Sequence, residues 1–436
     1  MVWEYCAQKK KQFKMSNTKK LVYGLPKEIK YCLKCNCINQ QPTSINEYKH
    51  DKNTQQIAIE FNEDGICFAC TSNQKKWTGD IDWNLKEKEL IELCAKYKNF
   101  DGPYNCLVGV SGGKDSSWQT HILKHKYGMR PLTVTWAPNI YTNIGWKNLQ
   151  NFINIGGFDN YTFTPNGKVH RYLTKQATIN LLHPFQTFIL GQKNFLPQIA
   201  DKFKIPLIFY GENPNDYGRK VHNIKKFSKG KHFDETHPGY IINPTEGLKF
   251  EDIKLGGQTI GYHLEQGFHR DDFACYLPLD SNKFEEKKIE THFLGYYLRW
   301  VPQENYYYAV KHAGFEPNTE RTDGTYQKYA SIDDRIDGFF YYTAHIKFGF
   351  GRAMSDSVQE VRNGHITKEE GLGLIDQFDG EYPKTFEKDF LEYISMSKEE
   401  FSSLCDNFRP KHIWRKTSNR WELKVSPKEF FKNLKL

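Results

Sequence analysis

The stretch NCLVGVSGGKDSS, residues 105–117, decides the fold. NCLVGV (105–110) is an apolar run with the length of a buried parallel strand, and SWQTHILKHKYG (117–128) reads as a helix closing at Gly128. Between them lie two glycines, a lysine, an aspartate and serines. A strand that turns through glycines into a helix presents backbone N–H groups and hydroxyls to one point, without side chains to crowd a phosphate there.

The alternation continues beyond this unit. PLTVTW (131–136) reads as a strand, WKNLQNFINIG (146–156) as a helix, NYTFT (160–164) as a strand, FLPQIADKF (195–203) as part of a helix, and PLIFYGEN (206–213) as a strand entering a turn. Strands alternating with helices predict an α/β fold with a doubly wound parallel sheet. Ligands of such sheets collect beyond the carboxyl ends of the strands, so Ser111, Trp136 and Gly211-Glu212-Asn213 are expected at one crevice.

The whole chain divides on the same reading into a basic flexible extension (1–28), a cysteine module (29–75), a linking helix (76–100), a nucleotide domain (101–300) with an insertion at 214–290, and a mostly helical C-terminal region (301–436). Within the cysteine module IAIEF (57–61) is strand-like, and in the last region helices are expected at 302–315, 367–378 and 397–408.

The loop is not a Walker A sequence, which needs four residues between its first glycine and a Gly-Lys-Ser/Thr ending. SGGKDS instead resembles the PP-loop of ATP pyrophosphatases, of the adenine nucleotide alpha hydrolase type, which split ATP between the α and β phosphates. Ser111, Gly112, Gly113, Lys114, Asp115, Ser116 and Ser117 are then the phosphate-binding residues, with Lys114 adding charge and Asp115 helping to hold Mg²⁺. Ser111, Lys114 and Asp115 are the candidates for catalysis, and Gly211, Glu212 and Asn213 for the nucleotide. KFGFGRAMSDSVQEVRNG places Lys347, Arg352 and Arg362 among glycines, where cations can reach a leaving pyrophosphate. His183, His345 and Asp333-Asp334 receive no individual role.

Cys32, Cys35, Cys67 and Cys70 form two C-x₂-C pairs separated by 31 residues, the arrangement of a tetrahedral Cys₄ zinc site with Cys37 as an alternative to Cys35. Four thiolates leave no open position, so the Zn²⁺ would be structural.

The 436 residues carry a net charge of +9, but the excess lies at the ends. Residues 1–20 hold six lysines against one glutamate and 409–436 nine Lys/Arg against two glutamates, leaving the body at about −3. Such ends read as solvated tails, which makes a nucleic-acid partner the weaker reading. No apolar run reaches bilayer length and the first residues do not form a secretory signal, so a cytoplasmic protein without a membrane partner is expected.

Taken together, YCLKC…GICFAC, VGVSGGKDSS, YGEN and KFGFGRAMSDSVQEVRNG resemble the N-acetyl sugar amidotransferase family of bacterial surface-polysaccharide biosynthesis (lipopolysaccharide O-antigen or nonulosonic acid), over roughly residues 30–405. The resemblance implies that ATP adenylates the N-acetyl carbonyl oxygen of a sugar or nucleotide sugar, and that ammonia then displaces AMP to give an acetamidino sugar. It places Lys347 and Arg352 near the phosphates. No segment offers a nucleophilic cysteine with its histidine for glutamine hydrolysis. The resemblance therefore implies a separate glutaminase subunit like that of imidazole glycerol phosphate synthase, and admits a cyclase-like companion. The competing reading is a tRNA-modifying PP-loop enzyme that adenylates a base before thiolation or amination, for which the basic ends would supply phosphate contacts.

Overall fold

A computed structural model describes residues 23–43, 45–211, 244–418 and 420–434. Five parallel strands form its central sheet: β1 (Cys106–Gly109), β2 (Pro131–Trp136), β3 (Asn160–Phe163), β4 (Leu207–Tyr210) and β5 (Glu290–Phe293). They lie in the order β3-β2-β1-β4-β5, so the winding reverses beside β1. Cys106, Leu107 and Val108 of β1 are fully enclosed, as a central parallel strand covered on both faces requires. This is the doubly wound α/β fold, and its crevice opens where β1 ends.

The helices that follow the strands are α3 (Lys114–His125), α4 (Asn143–Asn154), α5 (Gly167–Leu181) and α6 (Gln186–Phe203), preceded by α1 (Phe68–Trp77) and α2 (Trp83–Lys98). α3 begins at Lys114, three residues ahead of the expected start, because the lysine, aspartate and serines of the loop are already helical. α6 lies close over β1: a Cβ added at Gly109 would sit 2.9 Å from Leu196.

Residues 302–434 supply α7 (Pro302–Ala313), α8 (Asp337–Phe348), α9 (Arg352–Asn363), α10 (Lys368–Phe378), α11 (Glu387–Ile394) and α12 (Lys398–Phe408). A hairpin of β6 (Trp414–Thr417) and β7 (Arg420–Leu423) and helix α13 (Pro427–Asn433) complete the chain. Thr367 and Ser397 start α10 and α12 with full capping boxes, satisfying N–H groups that would otherwise be left unpaired. Phe339 of α8 stacks on Phe390 of α11 at 3.9 Å in the core of this region.

Two expectations are corrected here. Residues 409–434 are not a solvated tail: Ile413, Trp414 and Phe431 are buried, Tyr31 packs on Phe430, and the Tyr31 hydroxyl donates to the carbonyl of Val425 at 2.8 Å. A few apolar anchors outweigh the count of charges, since long basic side chains keep their heads in water while their neighbours pack. IAIEF is likewise no strand. It makes only the isolated bridges Pro42 to Ala58 and Phe61 to Cys67, because the module's order comes from its cysteines and its packing on the C-terminal region. Among the described residues no helix is long and apolar enough to cross a membrane.

Candidate functional site

The loop after β1 has the shape its glycines dictate. Gly112 adopts φ +82°, and a Cβ there would lie 2.5 Å from the backbone nitrogen of Leu149, so α4 and the loop touch backbone to backbone. Gly113 is the N-cap of α3, with no side chain over the helix's first N–H groups. Those groups, with the positive end of the helix dipole behind them, face a cavity of about 660 Å³. A helix mouth with no side chain on its N-cap residue fits the phosphates of ATP.

Charged side chains converge on this end of the cavity. Lys114 is buried and ion-paired with its neighbour Asp115, whose other oxygen accepts from Asn305 Nδ2 of α7 at 3.0 Å. Asp333 accepts the Ser111 hydroxyl, and burial raises its pKa. Burial also pushes Asp334 up to about 7 and Asp337 to about 8. Arg352, at the start of α9, reaches Asp337 and Asp356, both at 3.0 Å. Burial alone would weaken its charge, but these carboxylates hold it protonated. Asp115 and Asp333 beside the loop are the oxygen donors that Mg²⁺ prefers.

Of the expected phosphate-site residues, Ser111, Gly112, Gly113, Lys114, Asp115, Ser116, Gly211 and Arg352 line this single cavity. Ser117 lies behind the wall, 1% exposed, and its hydroxyl has no hydrogen-bond partner among the described residues. Glu212 and Asn213 fall outside the described residues. Lys347 also lines the cavity, but it lies ten residues beyond Asp337 on α8, toward the opposite end. Arg362 and His345 are not on the wall. His345 packs against Trp414, and Arg362 serves the cysteines.

Cys32, Cys35, Cys67 and Cys70 are buried, and their sulfurs lie within 4.8 Å of one another. Cys32 and Cys70 are 3.8 Å apart, and Cys35 and Cys67 3.7 Å. A tetrahedral ion with metal–sulfur bonds of about 2.3 Å separates its ligands by about 3.8 Å, so the spacing suits one metal ion. The backbone N–H groups of Lys34 and Cys67 donate to Cys32 Sγ at 3.4 and 3.2 Å, orienting that ligand. Cys37 adjoins Cys67 but lies outside this set of four, and its thiol bonds Gln41 Oε1 at 3.0 Å.

Sequence reasoning passed over Asn305, Asp337 and Asp356. Only the Arg352-x₃-Asp356 spacing, one helical turn, carried a usable signal for any of them.

Most of these acids and Arg352 belong to one stretch of the chain. Residues 323–428 match the family described as LPS biosynthesis protein WbpG-like, C-terminal domain. The match supports the resemblance drawn from the motifs, and this WbpG-like segment contributes Asp333, Asp337, Arg352 and Asp356 to the cavity. Among curated proteins, an uncharacterized protein of Methanocaldococcus jannaschii is 32% identical over 85 residues, covering 20% of this chain and 29% of that protein. Among solved structures, NMN synthetase from Francisella tularensis aligns with 14% identity and a TM-score of 0.24, covering 53% of this chain and 96% of its own. The U34-tRNA thiolase NcsA from Methanococcus maripaludis, with its [4Fe-4S] cluster, aligns with 12% identity and a TM-score of 0.28, covering 68% and 82%. Likeness at these scores carries no argument about function.

Proposed function

We propose that the protein is an ATP-dependent amidotransferase that converts an N-acetylated sugar into its acetamidino form. The observation that carries the reading is the bare helix mouth at Gly112-Gly113, which shares one cavity of about 660 Å³ with Asp115, Asp333 and Arg352. A volume of this order is that of a pocket for drug-sized ligands. The WbpG-like segment supports an acceptor from LPS biosynthesis.

An amide carbonyl is a poor electrophile with a poor leaving oxygen, so exchange of oxygen for nitrogen needs prior activation. The N-acetyl oxygen attacks the α-phosphorus as the bond to the bridging oxygen of the β-phosphate breaks, giving an O-adenylated imidate and pyrophosphate. The α3 N–H groups and Lys114 hold the departing β and γ phosphates, and Arg352 offsets the charge that develops. Asp115 and Asp333 would hold Mg²⁺, which supplies further charge neutralisation when bound. Ammonia then attacks the imidate carbon, the carbon–oxygen bond breaks, and AMP leaves carrying the former carbonyl oxygen. A separate glutaminase subunit is the proposed ammonia source, with a cyclase-like companion admitted by the resemblance, and the Cys₄ centre is proposed to hold a structural Zn²⁺.

The test is a product analysis with ammonium, ATP and N-acetylated sugars or nucleotide sugars labelled with heavy oxygen in the acetamido group. AMP bearing the label, with pyrophosphate and a sugar in which NH replaces oxygen, is the expected outcome. ADP and phosphate would overturn the α-phosphate mechanism, and AMP formation only with tRNA would transfer the chemistry to a base.

A further inference from the structure

The cavity has a second charged end that the nucleotide chemistry does not use. Asp337 opens α8 beside Arg352, whereas Lys347 stands ten residues further on, about 15 Å along the axis at the rise of an α-helix. The charges acting on the two residues separate in the same way. Asp337 feels Arg352, Asp333, Asp334 and Asp356, while Lys347 feels Glu47 of the cysteine module.

Lys347 is 4% exposed, and its ammonium makes one hydrogen bond, 3.0 Å to the carbonyl of Leu181 at the end of α5. Among the described residues no carboxylate pairs with it. Glu47 is already engaged by His50 Nδ1 at 3.1 Å and Gln186 Nε2 at 3.3 Å. An ammonium has three donors, so two are left without a hydrogen-bond acceptor among the described residues, the ring of Phe348 at 5.0 Å being its other contact, in a place where an unmet charge is costly. Burial lowers its pKa to about 7, and the charge of Glu47 offsets only part of that.

Next to it the His183 ring stacks on Phe340 at 5.2 Å, and Phe340 on Phe185 at 5.7 Å. His183 Nδ1 is shut off from solvent and has no hydrogen-bond partner among the described residues. All four residues line the cavity.

We infer that this far end is an oxyanion site, in which Lys347 binds a carboxylate or phosphate carried by the acceptor while the aromatic wall of His183, Phe340 and Phe185 packs on its ring. Naming the ligand an acceptor sugar rests on the amidotransferase reading; the oxyanion site itself does not. A loose end of positive charge becomes a specificity element when an anion supplies the missing partner, because an acceptor lacking that anion leaves the buried ammonium unpaired.

Calorimetric titrations test this with N-acetylglucosamine, N-acetylglucosamine 1-phosphate and an N-acetylated hexosaminuronate, each with and without α,β-methylene ATP to fill the loop. At least one acidic probe should bind wild type about tenfold or more tightly than the neutral sugar, as expected for charged hydrogen bonds. The acidic probe that shows the gap identifies the source of the oxyanion. Lys347→Gln should erase the gap without weakening the neutral sugar.

Equal binding of acidic and neutral probes, binding of neither, or a gap that survives in Lys347→Gln overturns the assignment. Removing a buried cation that lacks a partner should leave the melting temperature of Lys347→Gln unchanged or raised. A marked drop would make Lys347 a structural anchor and overturn it as well. AMP formation is read in parallel. A gap with no AMP from any acceptor keeps the oxyanion site and overturns the amidotransferase reading. AMP from a neutral acceptor, undiminished in Lys347→Gln, does the reverse.

Discussion

The guanidinium of Arg362 lies 3.4 Å from the sulfur of Cys35, with the sulfur of Cys67 at 3.7 Å. Arg362 lies in the last turn of α9, the helix whose first residue is Arg352 at the cavity, so one element joins the cysteine centre to the cavity. Four thiolates around a divalent ion carry a net double negative charge, and a buried guanidinium is the group that offsets it.

Removing that cation should therefore loosen the metal. Arg362→Met is expected to release zinc to a chelator at least about tenfold faster than wild type, the scale on which groups around a metal's ligands act. Cys67→Ser, which removes a ligand outright, should lower both metal content and melting temperature. Metal analysis after dialysis checks both, and a zinc-free, fully stable Cys67→Ser protein would dismiss a structural metal.

Gly112→Ala adds one methyl group where there is no room for it. The new Cβ would lie 2.5 Å from a backbone nitrogen, at a φ of +82° that alanine avoids. Backbone cannot swing aside as a side chain can, so the loop or α4 must move. We expect a loss of about 2–4 kcal/mol in stability and of ATP binding by the folded fraction. Denaturant unfolding and nucleotide titration measure the two separately, and unchanged ATP affinity would mean that the loop is not the phosphate cradle.

His170 gives the clearest dependence of stability on pH. Its ring is buried between the Tyr276 hydroxyl, 2.9 Å from Nδ1, and Asn139 Oδ1, 2.8 Å from Nε2. One nitrogen accepts and the other donates, so the neutral ring is fully satisfied, and burial lowers its pKa to about 4. The unfolded chain takes up the proton first, near pH 6.5. The stability that His170 contributes is therefore complete above about pH 6.5 and is lost as pH falls through 4, by up to about 3 kcal/mol. His170→Gln should be less stable at neutral pH and should flatten this part of the acid limb. A wild-type acid limb unchanged by the substitution would contradict the assignment.

What could be read from the sequence was local. The strand, glycine turn and helix at 105–128 lie together in the chain, and so do the two cysteine pairs, whose spacing alone predicted a common centre. β5 escaped notice because ETHF does not look like a buried strand. Glu290 and His292 are enclosed only because Lys96 and the Tyr297 hydroxyl meet them from elsewhere. Arg362 escaped for a similar reason, since 327 residues separate it from Cys35 and a glycine-flanked arginine reads as a phosphate ligand until the fold shows what it touches. The placement of Lys347 depended on where α8 starts, which no capping residue announces.

Asp115 offers the sharpest test of the catalytic end. It is held by Lys114 on one side and by Asn305 Nδ2, at 3.0 Å, on the other, and about a third of its side chain remains open to the cavity. Asp115→Asn keeps the size and an acceptor for Asn305 but removes the charge. We expect AMP formation to fall by about 10²–10³, the usual cost of losing one preorganised charged group, with stability changed by no more than about 1 kcal/mol. Asn305→Ala leaves the carboxylate in place but unanchored, and should cost about tenfold in kcat with a smaller effect on KM, since it disturbs orientation rather than charge. If Asp115→Asn turned over ATP at the wild-type rate, Asp115 would be a structural partner of Lys114 and the metal would rest on Asp333. If Asn305→Ala matched the full loss of Asp115→Asn, orientation would account for the whole of the aspartate's contribution.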